Sequence, residues 1–147
     1  MPFSRGFIFL FALLGFAIDR ILKQYALQDP ALERGVFVGA EWFGLRLHIN
    51  TFFAGSLPVP NHIVLLVMLA VMAGIAYALY ANFKRPLTAG ELSLVLAGAV
   101  SNAADRLLYG GVVDYLVIPF GGVVNLADAL VVAGVVLLVL PRQQHAH

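Results

Sequence analysis

The chain has no cysteine among its 147 residues. Disulfides, thiol nucleophiles and thiolate metal sites are therefore excluded, and cysteine usage says nothing of the redox compartment. Charge is also scarce, with only 12% Asp, Glu, Lys and Arg, against about 25% in an ordinary soluble domain. Nine basic and eight acidic residues leave a net charge of +1. No basic patch interleaved with aromatics points to nucleic acid. There are no internal repeats or low-complexity segments, no His–Glu zinc motif and no glycine-rich phosphate loop. Ser56, Ser93 and Ser101 have no histidine at matching depth. His48 and His62 are isolated, and His145 and His147 amount at most to a weak adventitious metal site in the tail. No other metal site is expected. The abundant component is apolar, 61% of the chain, with a mean hydropathy of +0.91.

A membrane-spanning helix needs about 20 mostly apolar residues. Four stretches fit: about 6–27, 61–83, 88–108 and 121–140. The expected fold is an all-α integral membrane protein of four transmembrane helices, forming a single membrane domain over 1–147. The first run shows no small-residue cleavage site and continues into Asp19-Arg20-Ile21-Leu22-Lys23, so it reads as a retained span. Arg5, Lys84, Arg85 and Arg142 fall on one side of the spans, which places both termini and the 84–87 loop in the cytoplasm. Residues 28–60 and 109–120 then lie outside. Val36-Phe37-Val38 and the alternation of Leu45, Leu47 and Ile49 with Arg46, His48 and Asn50 predict a small extracytoplasmic β-element between the first two spans. Gly39 and Gly44 are its turn candidates, and Trp42 suits the interface.

Four of the eight acidic residues, Asp19, Asp105, Asp114 and Asp128, lie in or beside these apolar runs. A carboxylate at the centre of a bilayer costs about 2.5–3.5 kcal/mol on insertion scales, so such residues mark function. With the orientation above, Asp19, Lys23, Asn102, Asp105, Arg106, Asp114, Asn125 and Asp128 all fall at one depth, near the outer surface.

Each constellation has two readings. Asp19 and Lys23, four apart, share a helix face as an ion pair or as a substrate contact. Asn102-x-x-Asp105-Arg106 is a buried ion pair or network locking helices together, or a bias on a reacting carboxylate. Asp114, in Gly110-Gly111-Val112-Val113-Asp114-Tyr115, is a solvated loop aspartate or half of a catalytic pair. Asp128, in Asn125-x-x-Asp128, is a first-turn aspartate favoured by the helix dipole, or the other half. As a pair, two close carboxylates resist ionising together. The ionised one takes a proton from water and the protonated one polarises a carbonyl.

In order along the chain stand Asp19-x-x-x-Lys23, Asn50 followed by Ala54 and Ser56, Asn102-x-x-Asp105-Arg106, Val112-Val113-Asp114 and Asn125-Leu126-Ala127-Asp128. This set, over nearly the whole chain, resembles the bacterial lipoprotein signal peptidases (signal peptidase II), four-span intramembrane aspartic peptidases. The resemblance implies that Asp114 and Asp128 are the catalytic dyad. It implies that Asn102, Asp105, Arg106 and Asn125 support the dyad, while Asp19, Lys23 and Asn50 shape the substrate site. It further implies an enzyme of the bacterial inner membrane that acts near the outer leaflet without a cofactor. Its substrates would be prolipoproteins, cut before a diacylglyceryl-modified cysteine; membrane lipid and globomycin-type inhibitors would be its other partners. A monomer suffices for this chemistry.

Two features depart from the family pattern. Asn50-Thr51-Phe52-Phe53-Ala54-Gly55 stands where the family usually has Asn-x-Gly-Ala-Ala-Phe, and only ten residues separate Asp114 from Asn125. The rivals are a small four-span proton-coupled transporter and a non-catalytic lipoprotein-binding relative. Against the transporter, the polar residues share one depth and Ile63–Leu79 holds no charged residue.

Overall fold

The computed structural model describes residues 5–39, 42–51, 59–119 and 122–140. The fold is mostly helical with one small antiparallel sheet. In chain order it runs α1 (Arg5–Gln28), α2 (Pro30–Arg34), β1 (Val36–Val38), β2 (Phe43–Asn50), α3 (Asn61–Ala81), α4 (Pro86–Tyr109), β3 (Val112–Ile118), β4 (Gly122–Val124) and α5 (Leu126–Val139). The divergent 52–58 loop lies outside the described residues.

The buried positions of α1 are Ala12, Gly15, Asp19, Lys23 and Ala26. Their spacing of three and four is one helical stripe, and its middle is charged. Ala12 packs with Leu94 and Leu130 in one apolar cluster, and Ala26 with Leu32 and Tyr115 in another. The polar side chains of α1 lie between these two clusters. Outside, the helices are greasy: Phe11 is 57% exposed, Leu13 63% and Ile21 66%, whereas Asp19, Lys23 and Asp105 are each 0%. That inverts the soluble pattern, in which charge faces out.

α4 packs against α1, α3 and α5. Its contact with α5 depends on glycine. A Cβ on Gly98 would fall on the carbonyl oxygen of Ala127 and 2.8 Å from Val131 Cγ2, and one on Gly134 would lie 2.8 Å from Glu91 O. These two glycines admit the chain's own last helix to close contact. Among the described residues, α3 alone is long and apolar enough to cross a membrane by length and composition; α5 is apolar but shorter. α1 and α4 carry the charged side chains on their inner faces, which interrupts their apolar runs.

The sheet corrects two expectations. It has four strands in the order β1-β2-β3-β4, so only half of it comes from the 28–60 connection; the other half comes from the segment between α4 and α5. The last helix does not begin near 121 but at Leu126, and residues 122–124 form β4. Gly39 supplies a turn at φ +72°, but Gly44 is in β2, where a Cβ would meet Val36 O and the Phe37 ring. The register of β2 on β3 shifts between Leu45 and His48. Such a bulge breaks the two-residue alternation, and only Leu47 of the three apolar positions packs against the Ala26–Leu32–Tyr115 cluster. α4 stops at Gly110, left-handed at φ +74°, and Gly111 passes within what would be 2.8 Å of the Asn50 carbonyl. β3 is thereby laid directly against β2, with Asp114 opposite His48.

Candidate active site

Lys23 is the centre of a buried polar cluster. Its ammonium has three protons to donate and three strong acceptors: Asp19 Oδ2 at 2.9 Å and Asp105 Oδ2 at 2.7 Å, and Asn102 Oδ1 at 2.8 Å. Arg20 pairs with the other oxygen of Asp105 and donates to the Ser101 carbonyl. The two cations and two anions balance, as burial in a medium of low polarity requires. Asp105 also accepts from the Val113 N–H at 3.1 Å, which ties α4 to β3. Asp19 accepts from Ser101 Oγ at 2.6 Å and, through its second oxygen, from the Tyr115 hydroxyl and the Ala127 N–H, both at 3.1 Å.

The expected Asp19–Lys23 ion pair is therefore present. The expected network around Asn102, Asp105 and Arg106 is present but wired differently. Asp105 pairs with α1, whereas Arg106 donates to Asn61 Oδ1 at 3.1 Å and accepts from Asn61 through its carbonyl at 3.0 Å. Asn102 bridges Lys23 to Asp128, donating to Asp128 Oδ1 at 2.8 Å.

Asp114 is not a solvated loop residue. It lies in β3 and is 2% exposed. Asp128 is a first-turn aspartate. It is the third residue of α5 and closes a capping box with Asn125: the Asp128 N–H donates to Asn125 Oδ1 at 2.9 Å, and the Asn125 N–H donates to Asp128 Oδ2 at 3.3 Å. Such reciprocal caps satisfy helix N–H groups that otherwise lack partners. The Asn125 amide then reaches across to Asp114 Oδ1 at 2.6 Å. One asparagine thus joins the two carboxylates. Burial, and next the charge of Asp128, raise the Asp114 carboxyl to about 6; hydrogen bonds from Asn125 and Asn50 and the charge of Lys23 hold it down. Asn50, at the end of β2, thereby reaches Asp114 itself. Burial also raises the Tyr115 hydroxyl, which keeps it a proton donor.

An apolar groove of about 470 Å³ opens beside Asp128 and Asn125, lined by Leu22 of α1, Leu45 and Leu116 of the sheet, and Leu126, Ala129 and Val132 of α5. Among the described residues no group of His, Cys, Asp or Glu could hold a metal ion.

Nine sequence-derived candidates, Asp19, Lys23, Asn50, Asn102, Asp105, Arg106, Asp114, Asn125 and Asp128, lie in this region. Asp105 reaches the strand that carries Asp114 through the β3 backbone. Arg106 turns to Asn61 while staying within electrostatic reach of Asp114. Arg20, Asn61 and Tyr115 are additions of the structure, and Ser101, set aside as a nucleophile for want of a histidine, is instead a partner of Asp19. For Ser101 a signal existed, since it stands four residues before Asp105 on the same face of α4. For Tyr115 there was none, because its partners are on α1 and α5.

Residues 11–142 match the model of a family described as Signal peptidase (SPase) II. The chain belongs to the signal peptidase II family. It is similar to the lipoprotein signal peptidase of Desulfitobacterium hafniense, 39% identical over 132 residues and covering 84% of each chain. The corresponding protein of Chlorobaculum parvum is 32% identical, covering 88% of this chain and 91% of the relative. That of Rhodopseudomonas palustris is 34% identical, covering 88% and 87%. Two solved structures of bacterial membrane enzymes share the fold over 91% of the chain. One has a TM-score of 0.77 at 22% identity and 85% coverage of its own chain; the other has 0.74, 23% and 90%. Signal peptidase II membership makes the chain a membrane protease of lipoprotein processing.

Proposed function

We propose that this chain is an aspartic endopeptidase that removes signal peptides from diacylglyceryl-modified prolipoproteins, cutting before the lipidated cysteine. The carrying observation is Asn125: its side-chain amide donates to the Asp114 carboxylate and accepts from the Asp128 N–H, and its own backbone N–H donates to the Asp128 carboxylate. The pair carries one proton. Asp114, buried and raised toward neutrality, holds it; Asp128, which receives N–H donors from Asn102 and Asn125, is the base. Water gives a proton to Asp128 and its oxygen attacks the scissile carbonyl carbon, while Asp114 protonates the carbonyl oxygen. Collapse of the tetrahedral intermediate breaks the C–N bond and returns a proton from Asp128 to the departing cysteine amine. Asp114 recovers its own from the intermediate hydroxyl.

In this reading the protein is a multi-pass membrane monomer in which α1, α3, α4 and the shorter α5 cross the bilayer, with both termini cytoplasmic and the dyad near the outer leaflet. The outward-facing apolar surface of α1 and its inward-facing charges support that placement, since lipid tolerates only satisfied polar groups. The lipid-modified substrate approaches through the outer leaflet, and globomycin-type peptides compete for the same site.

The test is a gel-shift cleavage assay in detergent with a diacylglyceryl-modified prolipoprotein. The parent is expected to cut and Asp114→Asn and Asp128→Asn to remain intact but inactive. General acid–base groups contribute about 10²–10⁴-fold each, so residual activity should fall at least that far. A fully active Asp128→Asn protein sinks the dyad, and no cleavage by a well-folded parent sinks the peptidase.

A further inference from the structure

The first turn of α5 carries Asp128, and three elements hold its N–H groups. The Leu126 N–H donates to the Tyr115 hydroxyl at 3.0 Å. The Ala127 N–H donates to Asp19 Oδ1 at 3.1 Å. The Asp128 N–H donates to Asn125 Oδ1 at 2.9 Å. Helix N-terminal N–H groups have no partners within the helix, and here β3, α1 and the cap residue supply one each. The Tyr115 hydroxyl also donates to Asp19 at 3.1 Å, so it joins two of the three supports. Its ring is 5% exposed and anchored among Ala26, Leu32, Leu47 and Leu126.

Tyr115 directly follows Asp114, and successive strand residues point to opposite faces. β3 therefore grips the first turn of α5 twice: from one face through Asp114 and Asn125, from the other through Tyr115 and the Leu126 N–H. We infer that Tyr115 is a positioning residue for the reaction: its hydroxyl fixes the first turn of α5 against β3 and so sets the spacing of the Asp114 and Asp128 carboxylates. It touches neither carboxylate and no reacting atom. The inference deepens the dyad reading above and rests on it.

Tyr115→Phe removes the hydroxyl and keeps the ring. The expected result is a 5- to 20-fold lower kcat per folded molecule, on the order of a lost hydrogen bond of 1–2 kcal/mol, with KM for the lipidated substrate unchanged within about twofold. A merely structural tyrosine would lower the folded fraction and leave kcat per folded molecule at the parent value, and that outcome overturns the inference. Leu126→Pro gives the partner arm. Proline suits the first helical position and deletes the N–H without leaving it unsatisfied. In that background Tyr115→Phe should cost little more. An equal loss in both backgrounds overturns the inference, because the hydroxyl would then act through something other than the α5 N–H.

A second readout does not depend on turnover. The Asp114 carboxyl, titrated by infrared spectroscopy against Asp114→Asn as blank, should protonate at lower pH in Tyr115→Phe, because a looser first turn weakens its repulsion by Asp128. An unmoved titration contradicts the positioning role. If the parent fails to cleave while this shift appears, the peptidase reading falls and the positioning of the carboxylate pair stands.

Discussion

Asp114 and Lys23 show how differently two buried ionisable groups are maintained. Lys23 is 0% exposed and meets two carboxylates. Removing it leaves Asp19 and Asp105 with one cation, Arg20, between them. Breaking a buried ion pair from one side costs about 3–5 kcal/mol. Lys23→Met is accordingly expected to lower the amount of membrane-inserted protein as well as its activity, read by quantitative immunoblot beside the cleavage assay. Normal abundance with lost activity would move Lys23 from the scaffold to the chemistry. Asp114 behaves in the opposite sense, because its environment favours the neutral form. A carboxyl raised from 3.8 to about 6 contributes stability that is fully present below the unfolded value and is lost as pH rises through the folded one. Above pH 6 the ionised Asp114 is a burden on the fold, and the proton that the proposed mechanism takes from it is gone. Cleavage should therefore decline as pH rises through about 6. Asp114→Asn, which mimics the neutral carboxyl, should abolish cleavage yet unfold at higher temperature than the parent at pH 8, with the difference shrinking toward pH 4. A melting series in detergent at three pH values checks the sign.

The helices and strands explain what was legible and what was not. The charged stripe of α1 follows from three- and four-residue spacing, so the Asp19–Lys23 pair was readable from the chain alone. Asn125-x-x-Asp128 has the spacing of a capping box, which in retrospect fixes the start of α5 at Leu126 better than hydropathy does. Hydropathy fails there because Val123 and Val124 of β4 are as apolar as the helix that follows. β3 is hidden in the sequence for a related reason: Gly110-Gly111 precedes it, and its residues from Val112 to Tyr115 are all buried, so it lacks the alternation that marks a half-buried strand. The partners of Asp105 and Tyr115 are on α1, β3 or α5, beyond what local spacing can reveal. The α4–α5 contact offers a test of how the elements hold Asp128. Gly98 faces the Ala127 carbonyl with no room for a methyl group, and Ala127 precedes Asp128. Gly98→Ala should push α5 outward and destabilise the protein by about 1–3 kcal/mol, the usual cost of overpacking. It should reduce kcat more than Gly134→Ala, which crowds α5 farther from the dyad. Equal kinetic losses in both variants would mean that the site tolerates movement of its helix.

The distribution of charge over the molecule makes sense only in relation to a bilayer. Fully buried Asp19, Lys23 and Asp105 beside exposed Phe11, Leu13 and Ile21 would make a poor soluble protein, since large exposed apolar surfaces drive association. In lipid the same arrangement is favourable, because hydrocarbon meets hydrocarbon and each charge finds its partner inside. The proposed orientation rests on few residues, because few charges exist: Lys84 and Arg85 sit at one end of the bundle, between α3 and α4, while the sheet that carries Asp114 sits at the other. The absence of native cysteine makes this directly measurable. A single cysteine at Arg46, exposed on β2, should react with a membrane-impermeant maleimide added to intact cells stripped of any outer barrier. A single cysteine at Lys84 should react only after the membrane is opened. The reverse labelling pattern would put the dyad at the cytoplasmic face. There it could not meet a substrate whose lipid lies in the outer leaflet, and the proposed route of substrate entry would be wrong even if the dyad chemistry held.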